Sequence, residues 1–267
     1  MNAEQLLREG ELAECLAELQ TRVRTEPANP KLRVFLFQLL SVLGEWDRAL
    51  TQLNVAAELD HGQLLAAHLC RPALQCEALR TEIFAGNHTP VIFGDPAEWV
   101  GLLVQATKMA AQGHLDAWVE LRDRAFAEAP ASRGTINDQP FQWIADADSR
   151  LGPVLETILD GRYYWVPFAA IREITIEQPA ALRDWVWTPA SFTWGNGGTA
   201  AGLIPARYPG SEDSDDPMVR LGRKTEWLSS GGGLYAGLGQ RVLATDAGEF
   251  MLLDVRRIVI KPAQGES

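Results

Sequence analysis

The amino-acid sequence predicts an α+β protein: an amino-terminal half of α-helical repeats, then a small antiparallel β-barrel or sandwich. Three observations predict it. Up to residue 135 apolar residues recur at helical spacing, whereas from Val154 onward they come in short alternating runs broken by glycine and proline. Between these regimes, Phe141 to Glu156 mixes buried types (Phe141, Trp143, Ile144, Leu151) with two aspartates, a serine and an arginine. Its Gly152-Pro153 pair stops any helix, because proline lacks the N–H and restrains the residue before it. The expected organisation is a helical domain over residues 1–135, a joint over 136–153 and a β domain over 154–267.

Within the helical half, residues 44–60 resemble the tetratricopeptide (TPR) pattern: a glycine, an aromatic two later, and a small residue three beyond it. Shifting back by 34 residues, the TPR period, places Gly44 on Gly10, Ala49 on Cys15 and Leu53 on Leu19. Shifting forward by 69 places Gly44 on Gly113 and Ala56 on Ala125, with Trp118 in the slot that should be small. Pro27 and Pro130 close the second helix of the first and third repeats. Between them, Gly62 to Ala85 predicts one long helix containing Pro72, and residues 90–99 replace a repeat's second helix with a loop. Asp95-Pro96 predicts the next helix start, aspartate as N-cap and proline at the first position. Stacked repeats leave a concave face lined by the first helix of each pair. Here that face is expected to present Val34, Gln38, Ser41, Val42, Leu103, Thr107 and Ala110, unless the chain itself fills it.

In the carboxy-terminal half, strands are expected at residues 154–158, 163–166, 171–176, 182–187, 203–206, 242–244, 251–255 and 258–260. Gly195 to Gly198, Gly210 to Pro217 and Gly231 to Gly233 are turns or loops. Six of the nine tryptophans lie from Trp143 on, which argues for an aromatic core or a seam against the helices.

Composition narrows the function classes. Hydrophobic residues form 46% of the chain, enough for both halves to bury a core. Net charge is −11, with 18 acids against 11 bases in residues 1–130 and 17 against 13 thereafter. Neither half shows a basic face, so nucleic-acid and anionic-membrane binding are disfavoured. Met1-Asn2-Ala3-Glu4 lacks signal-peptide character and no apolar run approaches membrane-spanning length. Three cysteines suit buried thiols in a reducing compartment, and a cytoplasmic protein is expected.

Candidate chemistry is sparse. Asp146-Ala-Asp148 resembles the paired aspartates that hold Mg²⁺ or Mn²⁺ in transferases, but Ser149-Arg150 follows, and an aspartate–arginine bridge satisfies the same charges. The four histidines lack metal spacing, and Cys70 and Cys76 point to different helix faces. Gly222-Arg-Lys-Thr225 lacks the spacing of a phosphate loop. No cofactor is expected. The joint is read as structural: Arg150 pairs with Asp146 or Asp148, while Phe141, Trp143 and Ile144 pack between the halves.

Three segments carry a resemblance: residues 90–96 (Pro-Val-Ile-Phe-Gly-Asp-Pro), the thirteen residues from Phe141 to Pro153, and residues 182–190 (Leu-Arg-Asp-Trp-Val-Trp-Thr-Pro-Ala). They look like the hallmark segments of the ImpE/TagJ family, and the similarity runs over nearly the whole chain. The resemblance implies an accessory protein of a bacterial type VI secretion cluster. It implies further a non-enzymatic cytosolic adaptor that binds the N-terminal helix of the small sheath subunit, TssB. That links it to assembly of the TssB–TssC sheath or its recycling by the ClpV ATPase. An open groove suits such a helix, docked by its i, i+3, i+4 and i+7 anchors. The rival expectation is a metal-dependent transferase or hydrolase using Asp146 and Asp148.

Overall fold

Glycine sets the phase of the helical half. The computed structural model describes residues 1–261, so residues 262–267 of the expected β domain lie outside the described residues. It begins with paired helices α1 (Ala3–Glu9) and α2 (Leu12–Thr25), then α3 (Pro30–Val42) and α4 (Trp46–Leu59). The long α5 (Leu64–Phe84) carries Pro72 inside it, and α6 (Glu98–Ala111) and α7 (Leu115–Glu128) form the last pair. Gly10, Gly44 and Gly113 all adopt positive φ, and the residue after each donates its N–H to the carbonyl five before it. The bonds are Glu11 to Leu6, Glu45 to Leu40 and His114 to Met109, each 2.9 Å. This closure satisfies carbonyls that the helix end leaves orphaned and turns the chain into the next helix. Cys15 and Ala49 fill the small slot with no exposure, and Trp118 fills the third, equally buried. The paired-helix organisation of this half therefore fits the repeat reading. One detail differs: α6 starts at Glu98 with Ala97 as its N-cap, leaving Asp95 and Pro96 in the preceding turn.

The residues expected as a bare loop contribute a strand instead. β1 (Val91–Ile92) pairs in parallel with β6 (Arg162–Pro167) and forms one edge of a nine-stranded sheet. The sheet's other strands are β2 (Gly134–Ile136), β3 (Gln139–Phe141), β5 (Val154–Leu159), β7 (Ile171–Ile176), β8 (Trp187–Trp194), β9 (Thr199–Pro205) and β14 (Arg257–Ile260). The order is β1-β6-β5-β9-β8-β7-β14-β2-β3, every pairing but the first antiparallel. A smaller sheet, β13-β12-β4, joins β4 (Ile144–Asp146) to β12 (Val242–Thr245) and β13 (Gly248–Met251). A short helix α8 (Pro217–Arg220) precedes a separate hairpin of β10 (Thr225–Ser229) and β11 (Tyr235–Gly239).

The small closed barrel or sandwich is thus overturned: this is a large, open, mixed sheet whose edge strands β1 and β3 stand at opposite ends of the order. The reason lies in what covers it. Strand β5 is buried at all six positions. Its Val154 and Ile158 join a core shared with α1–α6, while Leu155 and Leu159 join a second core with Ile136, Ile144 and Leu243. A sheet covered by helices on one face and by other chain on the other has no need to close on itself. The first core draws residues from both expected halves, from Leu19 and Leu36 to Trp165 and Trp187.

Two expected strands are turns. Leu182–Trp185 is a 3₁₀ helix, because the Asp184 carboxylate accepts the N–H groups of Ala180 and Ala181 (2.8 and 2.9 Å) and coils the chain around itself. The run from Met251 likewise becomes a 3₁₀ turn over Leu252–Asp254.

Candidate functional site

At the joint, Asp146 and Asp148 are 3% and 0% exposed. Asp148 pairs with Arg150, whose Nε and Nη2 donate over 2.9 and 2.5 Å, and its second oxygen also accepts the N–H of Gly237. Asp146 pairs instead with Arg241 and accepts the Tyr208 hydroxyl (2.9 Å) and the Asp148 N–H (2.9 Å). All four carboxylate oxygens are therefore engaged by protein donors, which removes the divalent-metal site from this pair. Trp143 is 42% exposed, at the turn between β3 and β4, and does not pack between the halves. Phe141 and Ile144 are buried, but in the second core inside the β half rather than at the boundary. The boundary contacts come from Leu151, which enters the first core, and Arg150, whose guanidinium lies 4.7 Å from the ring centre of Phe84 on α5. Gly152 adopts φ +51°, and a Cβ there would lie 2.2 Å from the Phe126 ring of α7, so any other residue would be strained and would push that ring aside.

The joint belongs to a larger buried array that binds α5 to the sheet. Glu156, on β5 and with no exposure, accepts Arg80 Nε (2.6 Å) and Nη2 (3.0 Å), the Tyr163 hydroxyl (2.5 Å) and Arg241. Arg80 also donates to the Arg207 carbonyl (2.7 Å), and Trp187 Nε1 donates to Glu77 (2.6 Å). The guanidinium of Arg207 reaches the last turn of α3, donating to the carbonyls of Val42 (2.9 Å) and Ser41 (3.2 Å). Arginines 80, 150 and 241 thus pair with carboxylates 77, 146, 148 and 156, and Arg207 is held by main-chain carbonyls, which makes so much buried charge tolerable. Burial alone would raise the Glu156 carboxyl, but Arg80 and Arg241 outweigh it and bring it down to about 2. Asp146 moves the other way, to about 6: burial dominates, one guanidinium opposes it, and the neighbouring Asp148 charge adds to it. An array so fully enclosed offers no substrate access. What it can do is lock α5, β5 and β12 together.

The same contacts decide the fate of the expected concave face. Ser41 and Val42 lie under Arg207, Leu103 is enclosed in the first core, and the Thr107 hydroxyl donates to the Arg150 carbonyl (3.1 Å). Ala110 packs beside the Trp118 cluster. The structure therefore does not bring the seven residues together on one open surface. Val34 and Gln38 line an open groove, of about 340 Å³, with Leu7, Phe35 and Leu182, while Thr107 lines a separate cavity of about 240 Å³ with Ile83, Val104 and Trp165. Of the buried array, Glu77, Arg80, Glu156, Arg207 and Arg241 escaped the reading of the sequence. Their one signal was charge inside apolar runs, as in Val154-Leu-Glu-Thr-Ile-Leu159.

Fold and site together define a class: a helical-repeat scaffold clamped to a mixed sheet by a buried charged array. Residues 138–259 match the profile of the family described as ImpE protein. Over 262 residues, 98% of this chain and 92% of the relative, the sequence is 51% identical to the type VI secretion system accessory component TagJ of Pseudomonas aeruginosa. The X-ray crystal structure of protein VPA1032 from Vibrio parahaemolyticus superposes with a TM-score of 0.88 at 25% identity, covering 98% of each chain. The chain belongs to the ImpE/TagJ family of type VI secretion system accessory components. Among the described residues no helix is long and apolar enough to cross a membrane.

Proposed function

We propose that the protein is a non-catalytic, cytosolic adaptor that holds the N-terminal helix of the small sheath subunit TssB, and so acts in assembly of the TssB–TssC sheath or its recycling by ClpV. The observation that carries the reading is the groove between α1 and α3. It is the part of the expected helix-binding face that stays open, with Leu7, Val34 and Phe35 and, from the carboxy-terminal half, Leu182 as an apolar floor. Lys31 and Arg8 on one hand and Glu4 on the other flank it, a rim suited to an amphipathic helix. The acid excess of residues 1–130 favours a target with basic flanks, chiefly by speeding encounter.

The test is a titration of a fluorescently labelled TssB N-terminal peptide, from the same secretion cluster, into the full chain. Saturable binding is expected, weakened at least tenfold by Val34→Asp with the circular dichroism spectrum preserved. A wild-type chain that fails to bind the peptide would overturn the reading, and an unaffected Val34→Asp would move the site elsewhere.

A further inference from the structure

The turn joining β8 to β9 holds the chain's one asparagine followed by glycine, Asn196-Gly197. Asn2, Asn29, Asn54, Asn87 and Asn137 precede alanine, proline, valine, histidine and aspartate. Gly195, Asn196, Gly197 and Gly198 are all exposed. An asparagine side chain stands one ring closure from its own main chain, because the nitrogen of the next residue can add to Cγ and form a five-membered imide. A side chain on that next residue hinders the approach and restricts the dihedrals it needs, and glycine carries none.

Two hydrogen bonds of the turn act on this reaction in opposite senses. Asn196 Oδ1 accepts the Gly198 N–H (3.0 Å), so a donor already faces the oxygen on which negative charge gathers as nitrogen adds to Cγ. Against it, the attacking group, Gly197 N–H, donates to the Trp194 carbonyl (2.9 Å), and the step waits for that bond to open. Little opposes the opening. Gly197 sits at φ +84° with nothing within 4 Å of where a Cβ would stand, and exposed turns are the parts of a fold that open most cheaply.

We propose that Asn196 is a site of spontaneous covalent modification, ending in aspartate and isoaspartate, and that the isoaspartyl product unlatches this end of the hairpin. In the first step the bond from Gly197 N to Asn196 Cγ forms, the bond from Cγ to the amide nitrogen breaks, and the proton lost by Gly197 leaves with the ammonia. Water then opens the imide. Attack at Cγ breaks the new bond and leaves aspartate in an ordinary chain. Attack at the main-chain carbon of residue 196 leaves the chain running through Cγ, one methylene longer. Water is the only co-reactant. The extra methylene falls between Trp194 and Gly198, where the Trp194 N–H donates to the Gly198 carbonyl (2.8 Å) and closes the hairpin. Trp194 also packs on Phe93, ring centres 4.1 Å apart, immediately after β1. The site stands whether or not the groove between α1 and α3 binds a sheath helix.

The experiment ages the full chain in neutral buffer at physiological temperature and maps its peptides by mass spectrometry. An isoaspartyl methyltransferase with labelled S-adenosylmethionine counts isoaspartate. A gain of one mass unit should accumulate at Asn196 at least tenfold faster than at any other asparagine, about 1.4 kcal/mol in barrier, with isoaspartate among the products. Asn196→Gln, which would have to close a six-membered ring, should lose the methyl label. Amide exchange at Trp194 should be faster in the aged chain than in the fresh one, while Asn196→Asp, with the charge but not the longer backbone, should exchange like fresh protein. Modification spread evenly over the asparagines overturns the proposal, as does aspartate at 196 without isoaspartate, the outcome of direct hydrolysis. Label undiminished by Asn196→Gln also overturns it, and Trp194 exchange unchanged by ageing overturns its second half.

Discussion

Replacing Glu156 with glutamine tests the buried array at its centre. The side chain keeps its shape but loses its charge, and of the four donors converging on it, two guanidiniums lose their shared counter-charge. A glutamine also turns an NH₂ toward one of those donors. Breaking a buried ion pair by removing one partner costs about 3–5 kcal/mol, a large share of the roughly 5–15 kcal/mol that holds a domain folded. For a chain of this size that corresponds to a midpoint lowered by roughly 6–20 °C. Urea unfolding followed by circular dichroism and tryptophan fluorescence gives the first figure, and a thermal scan the second. Acid titration provides an independent check. The folded carboxyl keeps its charge down to about 2, against an ordinary 4.5. Its contribution is therefore complete above pH 4.5 and lost as pH falls through 2, a difference of about 3 kcal/mol. Glu156→Gln lacks this loss, so its stability should fall less steeply with acid over that interval. A variant within about 1 kcal/mol of wild type, with the same acid slope, would refute the account of Glu156 as the keystone.

Asp146→Asn should be milder and opposite in pH dependence. Because burial raises the Asp146 carboxyl to about 6, its ionised form opposes folding, so wild-type stability gains a term as pH falls from 6 to 3.8. The asparagine variant should lose that rise in a urea series across the same range. Trp143→Ala, at an exposed turn, should change the unfolding free energy by no more than about 0.5 kcal/mol. Gly152→Ala should cost about 2–4 kcal/mol, since its methyl meets the Phe126 ring in a left-handed backbone conformation. Co-substituting Phe126→Ala should relieve part of that cost, measurable as a coupling energy in a double-mutant cycle.

The helical half was legible because its punctuation is local. A glycine at positive φ and the bond that follows it recur wherever the period places them, at Gly10, Gly44 and Gly113. Strands β5, β6 and β7 were legible as short apolar runs and the Gly195–Gly198 turn by composition, whereas the longest strand, β8, most of β9, and the β10–β11 hairpin were not. What failed was information held by distant partners. Val91 and Ile92 are too short a run to announce a strand, and become one only because β6 offers an edge. Trp185 and Trp187 alternate convincingly, yet the carboxylate of Asp184 coils the chain leading into them, Leu182–Trp185, into a turn. The joint's Arg150–Asp148 pair was visible in the spacing, whereas the partner of Asp146 lies 95 positions away at Arg241. The concave face failed for a related reason: periodicity says which residues share a helix face, not which later segment will lie on it.

The Arg80 contacts have a consequence for biosynthesis. This guanidinium emerges on α5 while Glu156, 76 positions on, and the Arg207 carbonyl, 127 positions on, are still untranslated. A nascent helical stack therefore has only the neighbouring Glu77 (3.3 Å) to face the Arg80 guanidinium, and lacks its other partners until most of the messenger has been read. Completion is signalled late, so truncated products stay open to proteases instead of accumulating as folded decoys.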